Sequence, residues 1–315
     1  MGSDRLLISI VTGCFNEEAN LPVLYEEIKR SLSALPGYDY EIIVADNCSS
    51  DRSRVVLRSI AAKDPNFRVI LNSNNFGPFR SGYHAFMQAS GDAVILMSSD
   101  LQDPPALIEQ MVKVWERGCP VVIAARTGSS ERRLISWLRN IYYRVLRSIS
   151  DRNAVIPGFT GFGLYDRKVM DALRLYQDPC PYLRGYITEI GFPRRIIYFT
   201  QPARLFGRSK HTLRLLAEIA ISGIMTHSRL PLRISTVTGF AVASASLLIA
   251  VGYLVYKLVY WQTFALGIAP VVIGLFFLGA VQLIFLGILG EYIGAILAHI
   301  KNRPLVIEEE RINFT

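Results

Sequence analysis

Ala93-Val94-Ile95-Leu96-Met97-Ser98-Ser99-Asp100-Leu101-Gln102-Asp103-Pro104-Pro105 is the stretch that decides the fold. Five apolar residues that run into polar residues and a Pro-Pro break read as a strand buried on both faces, as parallel sheets require. Two carboxylates and a carboxamide follow at its carboxyl end. Open α/β sheets bind their ligands outside the carboxyl ends of their strands. Carboxylate and amide oxygens grouped in this way suit a hard divalent cation, Mg2+ or Mn2+, of the kind that clamps phosphate oxygens.

The pattern repeats on both sides of this strand. Residues 6–11 form an apolar, β-branched run. Leu21, Leu24, Ile28 and Leu32 then recur at helical spacing behind Asn20, a candidate N-cap. Residues 41–44, 68–71 and 120–124 read as further strands. Asp51 can cap a helix running through Ala62, and residues 106–115 read as another helix. Such alternation predicts an α/β fold: a Rossmann-like, mostly parallel sheet with helices on both faces. No GxGxxG follows the first strand, which argues against a dinucleotide cofactor.

The 315 residues carry a net charge of +8, and 51% are hydrophobic. The mean hydropathy of +0.29 is high for a soluble chain, but the excess lies after about residue 234. A basic chain suits nucleic acid, anionic lipid or phosphorylated substrates. No recognition motif or aromatic-basic platform appears, so nucleic acid is set aside. Cys14, Cys48, Cys119 and Cys180 are scattered without a CxxC pair, which argues against zinc and fits reduced thiols. No signal-peptide pattern precedes the first strand, so the catalytic part is expected on the cytoplasmic side.

Two apolar segments close the chain. Residues 234–256 are charge-free for 23 residues and residues 258–290 for 33. Each exceeds the roughly 20 residues needed to cross a bilayer. Arg229 and Arg233 flank the first segment, Lys301 and Arg303 follow the second, and only Lys257 lies between them. The positive-inside rule then places both termini in the cytoplasm. Tyr253, Tyr256, Tyr260 and Trp261 form an aromatic belt for the far interface. Leu213, Leu216, Ile219 and Ile224, with Lys210, Arg214 and Arg229, predict amphipathic juxtamembrane helices. The expected division is a catalytic domain over residues 1–209, juxtamembrane helices over 210–233, a two-helix transmembrane domain over 234–300 and a cytoplasmic tail over 301–315. Gln282 in the second span suits helix packing in an oligomer.

Three more polar turns follow strands. Asp46-Asn47-Cys48-Ser49-Ser50-Asp51 offers a carboxylate to a nucleobase or ribose hydroxyl, although Asp51 equally reads as a helix cap. In Thr12-Gly13-Cys14-Phe15-Asn16-Glu17-Glu18, Phe15 can line a base pocket and Glu17 can bond a nucleoside. Asn75-Phe76-Gly77 is a third turn on the same edge.

These loops, with Asp166-Arg167-Lys168-Val169, Arg184-Gly185, Arg204, Gly207 to Lys210 and Gly290-Glu291-Tyr292-Ile293-Gly294 before Arg303-Pro304, resemble the family-2 glycosyltransferases of GT-A fold. Within that family they are similar to the polyisoprenyl-phosphate enzymes, such as dolichol-phosphate mannose synthase and the bactoprenol glucosyltransferases. The resemblance implies a nucleotide-sugar donor lying across the strand ends. Asp46, Glu17 and Phe15 would hold its nucleoside, with Ser98 and Ser99 beside it. Asp100 and Gln102 would approach a Mg2+ or Mn2+ on the pyrophosphate, and Arg204 and Lys210 would meet phosphate charge. Asp100, Gln102, Asp103 and Asp166 are the catalytic candidates, and Arg126, Arg132 and Lys210 the candidates for the acceptor phosphate. Asp166 also reads as a helix cap, and Arg126 and Arg132 also read as a solvated basic helix start.

The implied reaction is inverting transfer of a hexose, with glucose from UDP-glucose the leading choice, to undecaprenyl or a related polyprenyl phosphate. It would take place at the cytoplasmic face of the cell membrane, in contact with membrane lipid. The implied assembly is a homo-oligomer, with a tetramer among the possibilities. The chain departs from the family in three places. Ser98 stands where an Asp-x-Asp motif has its first acid, Asn47 replaces a second acid, and Thr160-Gly161-Phe162-Gly163 replaces a Gly-Asp-Phe-Arg string. Two alternatives stay open. A processive polysaccharide synthase is disfavoured by the lack of Gln-x-x-Arg-Trp and by only two spans. A non-catalytic membrane scaffold or flippase partner would explain Ser98 as lost catalysis.

Overall fold

The computed structural model describes residues 5–127, 156–176, 178, 181–202, 230–260, 268–301 and 303–314. The chain divides into two units, residues 1–211 together with 302–315, and residues 212–301.

The first unit begins with β1 (Leu7–Cys14), α1 (Asn20–Ser33), β2 (Asp39–Asp46), α2 (Ser53–Ala61), β3 (Phe67–Asn72), α3 (Pro78–Met87) and β4 (Ala93–Leu96). A 3-10 turn (Pro105–Leu107) leads into α4 (Ile108–Glu116) and β5 (Val121–Arg126). Then come β6 (Phe159–Asp166), α5 (Arg167–Arg174), α6 (Leu183–Glu189) and β7 (Arg194–Phe199), and near the end of the chain β8 (Glu308–Ile312). All eight strands form one sheet in the order β7-β5-β6-β4-β1-β2-β3-β8. The pairs β1–β2, β1–β4, β2–β3 and β5–β7 are parallel; β6 is antiparallel to both neighbours, and β8 is antiparallel to β3. Because β4 and β5 both oppose β6, they run the same way. The carboxyl ends of β1 to β5 and β7 therefore share one edge.

The expected α/β sheet is thus present, and its burial explains why the strands read as continuous apolar runs. Ile8, Ile10, Ile42, Val44, Val69 and Ile95 pack into one core layer with Leu21, Leu24, Leu57 and Met111. Val11, Ile43, Ala45, Ile70 and Val94 pack into the other with Ala85, Phe86, Val169 and Met170. Neighbouring residues such as Ile10 and Val11 face opposite layers, and both layers are buried.

The sequence reading missed α3 and β6. Gly82 interrupts the helical pattern of α3, whose first turn is set by Pro78. Gly161 and Gly163 break the apolar run of β6. A Cβ on Gly163 would sit 2.5 Å from the Val122 carbonyl oxygen, so the close pairing with β5 requires glycine there. Asn20 is not the cap of α1. Ala19 occupies that position, while Asn20 is the first helical residue, is buried and donates to Glu17.

The segment 301–315, expected as a tail, supplies an edge strand of this sheet instead. Val69 to Asn72 pair with residues 308–312, and the Asn313 amide donates to the carbonyls of Ala61, Asp64 and Phe67 at 2.8, 3.2 and 2.9 Å. Asn313 sits at φ 61, a left-handed conformation that asparagine tolerates.

The second unit contains α7 (Leu230–Val259, 30 residues) and α8 (Ile268–Ile300, 33 residues). At 1.5 Å per residue these helices are about 45–50 Å long. Among the described residues one stretch, Phe277–Gly294, is long and apolar enough to cross a membrane, with a mean hydropathy of 1.7. Large apolar side chains stand exposed on both helices, including Phe240 and Leu248 on α7 and Leu275 and Leu283 on α8. Of the expected juxtamembrane segment 210–233, residues 230–233 belong to α7 and the rest lie outside the described residues.

Candidate active site

The sheet reverses its strand order between β1 and β4, because β2 and β3 extend to one side of β1 and β4 to the other. Ligands of open α/β sheets bind beside such a reversal. Two loop assemblies meet there.

The first joins the loops after β1, β2 and β3. Asn16 N–H donates to Ser49 Oγ at 2.8 Å, and Ser50 N–H donates to Asn16 Oδ1 at 2.7 Å. Glu17 N–H donates to Ser53 Oγ at 2.9 Å, and Arg52 N–H donates to Glu18 Oε2 at 2.8 Å. Asp51 accepts from Ser53 N–H at the start of α2 and from Glu18 N–H, so it links the first two loops; the expected cap position of α2 is held by Arg52, one residue later. Asn47, buried at 4% exposure, bridges to the third loop. Its Nδ2 donates to Asn75 Oδ1 at 2.7 Å, and its Oδ1 accepts from Phe76 N–H at 3.0 Å. The Asn47 departure thus has a physical reason, since its amide both donates and accepts here and an ionised carboxylate can only accept.

Asn47→Asp is therefore expected to cost about 1–3 kcal/mol of stability, by setting a carboxylate against an acceptor. Asn75 cannot turn over to repair the contact, because its Oδ1 also accepts from Gly77 N–H at 3.0 Å. Urea unfolding measures the loss, and an unchanged midpoint would contradict the bridge.

The second assembly is built on the loop after β4. Asp100 Oδ1 accepts from Gln102 N–H at 3.2 Å, and Asp103 Oδ2 accepts from Ser98 N–H at 3.0 Å. Asp103 is 3% exposed and lies 3.5 Å from the Arg126 guanidinium at the end of β5. Burial pushes the Asp103 carboxyl up from its ordinary value, with Arg126 opposing. Arg126 also donates to Gln201 Oε1 at 2.9 Å, just past β7. Gly158 makes room for this strand end, since a Cβ there would lie 2.5 Å from the Arg126 carbonyl oxygen.

Three non-glycine residues on this edge adopt positive φ: Asn16 at 55°, Cys48 at 63° and Leu101 at 61°. Leucine has no side-chain hydrogen bond to offset that conformation, so the Asp100 loop holds strain. Each of the three loops from β1, β2 and β4 contains one such residue. Left-handed backbone on three neighbouring loops makes this sheet edge the candidate site.

The structure brings most of the expected residues together. Phe15 and Glu17 are half-buried on the first loop, Asp46 is fully buried at the end of β2, and Ser98, Ser99, Asp100, Gln102 and Asp103 share the fourth loop. Arg126 joins them, locked between Asp103 and Gln201. Asp103 itself anchors the loop through Arg126 and Ser98 N–H. Asp166 is not brought to this site. It pairs with Ala93, at the amino end of β4, and so lies on the opposite edge. There it accepts from Trp115 Nε1 at 2.7 Å and caps α5 through Lys168 N–H at 3.0 Å. Its local sequence resembled a motif, but a carboxylate before a helix has a structural use of its own. Arg132, Arg204 and Lys210 lie outside the described residues. Sequence reasoning missed Arg54 and Gln201, whose roles depend on contacts far along the chain.

Residues 9–174, from β1 through α5, match the family described as Glycosyl transferase family 2. More than half of the chain, with every loop described above except the Gln201 contact, falls within that match. The chain belongs to glycosyltransferase family 2 and is a glycosyltransferase. It is 33% identical over 310 residues to the uncharacterized glycosyltransferase YkcC of Bacillus subtilis, covering 98% of this chain and 95% of that one. It is 31% identical over 305 residues to the SfII prophage-derived bactoprenol glucosyl transferase of Shigella flexneri, covering 95% and 96%. A solved structure of glucosyl-3-phosphoglycerate synthase from Mycobacterium tuberculosis is similar at a TM-score of 0.47 and 21% identity, covering 70% of this chain and 78% of that one.

Proposed function

We propose that this chain transfers a hexose, glucose from UDP-glucose first among the candidates, to undecaprenyl or another polyprenyl phosphate, with inversion at the anomeric carbon. One observation carries the reading. The near-full-length similarity to a bactoprenol glucosyl transferase includes both the strained loop edge and the two long apolar helices.

The loops after β1, β2 and β3 form the nucleoside wall, and the Asp100 loop faces the pyrophosphate across the strand reversal. Asp100, Gln102 and Ser98 offer carboxylate, amide and hydroxyl oxygens. The Ser98 Oγ is buried beside the Asp103 carboxylate, on the same loop as Asp100 and Gln102. No group of three His, Cys, Asp or Glu residues clusters among the described residues, and Mg2+ commonly binds through one or two carboxylates plus substrate phosphates and water. A divalent ion held there would neutralise charge on the leaving nucleotide.

The acceptor phosphate is already ionised at neutral pH, so the site needs alignment more than a general base. Arg126, held in place by Asp103 and Gln201, presents fixed positive charge at the same edge, and Arg132, Arg204 and Lys210 are proposed to add to it. The helices α7 and α8 are proposed as two membrane spans. The chain leaves the first unit before them and returns to its sheet as β8, which is in keeping with two crossings and both termini on one face. Anchoring in the bilayer raises the effective concentration of a lipid acceptor. Assembly into a homo-oligomer is part of the same reading.

The test is incubation of the full chain in lipid vesicles with polyprenyl phosphate, Mg2+ or Mn2+ and a panel of nucleotide sugars, followed by mass analysis of the lipid. One added hexose per lipid is expected. Long polymers would favour a processive synthase, and no sugar transfer from any donor would overturn the reading.

A further inference from the structure

We propose that Arg54 is a positioning residue for the donor nucleotide: a single guanidinium that sets the β2-end loop and ties its geometry to β8, the strand after the last helix. The inference rests on the reading of the first loop assembly as the nucleoside wall.

Arg54 lies in the first turn of α2, and three arms of its planar head reach three strands. Nε donates to Asp46 Oδ2 at 2.8 Å, Nη2 donates to the Asn72 carbonyl at 2.6 Å, and Nη1 donates to Glu309 Oε2 at 2.8 Å. Those partners end β2, end β3 and belong to β8. Asp46 has a fully buried side chain, and a buried carboxylate without a cation is costly. Burial works against the charge on Arg54, but Asp46 and Glu309 outweigh it and hold the guanidinium above its ordinary pKa.

The contacts continue from Asp46 into the loops. Asp46 accepts from Ser49 N–H at 3.1 Å, and Ser49 Oγ accepts from Asn16 N–H at 2.8 Å. One unbroken sequence of contacts thus runs Glu309–Arg54–Asp46–Ser49–Asn16. It ends beside the positive-φ residues Asn16 and Cys48, where backbone geometry is held by its surroundings. Neutralising Asp46 needs only a charge, whereas holding three strands needs the fork of an arginine. A lysine at position 54 separates the two roles.

The full chain in detergent is titrated with UDP and with GDP in the presence of Mg2+, and donor kinetics are measured for the wild type, Arg54→Lys, Glu309→Gln and the double variant. Arg54→Lys is expected to weaken nucleotide binding and raise donor KM about tenfold. Its kcat should stay within about threefold of wild type, the signature of a lost binding geometry. Glu309→Gln, at a half-exposed position, should raise KM about two- to threefold and keeps the test readable if Arg54→Lys fails to fold. The double variant should be no worse than Arg54→Lys, because Glu309 acts through Arg54. Wild-type nucleotide affinity in Arg54→Lys, a loss confined to kcat, or additive effects in the double variant would each overturn the proposal. If the wild-type chain binds neither nucleotide, the nucleoside-wall reading fails first, and that result is distinct from a normal wild type with a silent Arg54→Lys.

Discussion

Asp100→Ala is expected to lower sugar transfer by about 10²–10³-fold, the usual cost of removing one electrostatic contact to a charge that develops in the transition state. Asp100 sits on the loop after β4, at the strand reversal, and is 8% exposed. Its carboxylate also accepts from Gln102 N–H, so alanine removes a turn contact together with a charge. Asp100→Asn separates the two effects, because its amide oxygen can still accept from Gln102 while the charge is gone. Both variants should lose transfer, and Asp100→Asn should keep a near-wild-type unfolding midpoint. Initial rates over a series of Mg2+ and Mn2+ concentrations provide the measurement. Near-normal transfer by either variant would remove Asp100 from the chemistry.

Ending the chain after Arg303 is expected to be the most damaging change away from the loops. It removes β8 and leaves β3 as an open edge. The Ser73 N–H and Oγ lose their acceptor, the Ile307 carbonyl, each at 3.0 Å. The carbonyls of Ala61, Asp64 and Phe67 lose the Asn313 amide, and buried Val306 is lost as well. At about 0.5–1.5 kcal/mol net per hydrogen bond, with a contribution from the apolar area, the loss is about 3–6 kcal/mol. That is a large part of the stability of an ordinary domain. Urea unfolding of the truncated and full chains reads it directly, and equal midpoints would show that β8 is a passive edge.

What the sequence revealed follows from what each residue does locally. The strands β1 to β5 were legible because strands covered on both faces are apolar at most positions, and that needs no knowledge of their partners; buried Ser9 and Glu41 are exceptions, and they bond to one another. The Asp100 loop was legible because its polar residues are consecutive and directly follow such a strand. By contrast, β6 carries Gly163, demanded by the approach of β5, and Gly161, at a φ of 108; β8 is a charged edge strand whose Glu308, Glu309 and Glu310 find His84, Arg54 and Arg58 more than two hundred residues away. Residues of that composition read as a tail until a partner is seen. Asp166 shows the converse error. Its neighbours fitted a motif, but only the antiparallel register of β6 reveals that it lies on the wrong edge of the sheet. Asp103 was placed in the right loop, but its pairing with Arg126 was not legible, because that arginine ends a strand more than twenty residues further along.

The central claim is that the edge around Asp100 joins a nucleotide sugar to a lipid phosphate. Release of nucleoside diphosphate by the full chain in lipid vesicles tests it most directly. The account predicts release only when nucleotide sugar, polyprenyl phosphate and a divalent cation are all present, with one sugar-bearing lipid formed for each nucleotide released. Release at the same rate without the polyprenyl phosphate, or none with all three, would contradict it.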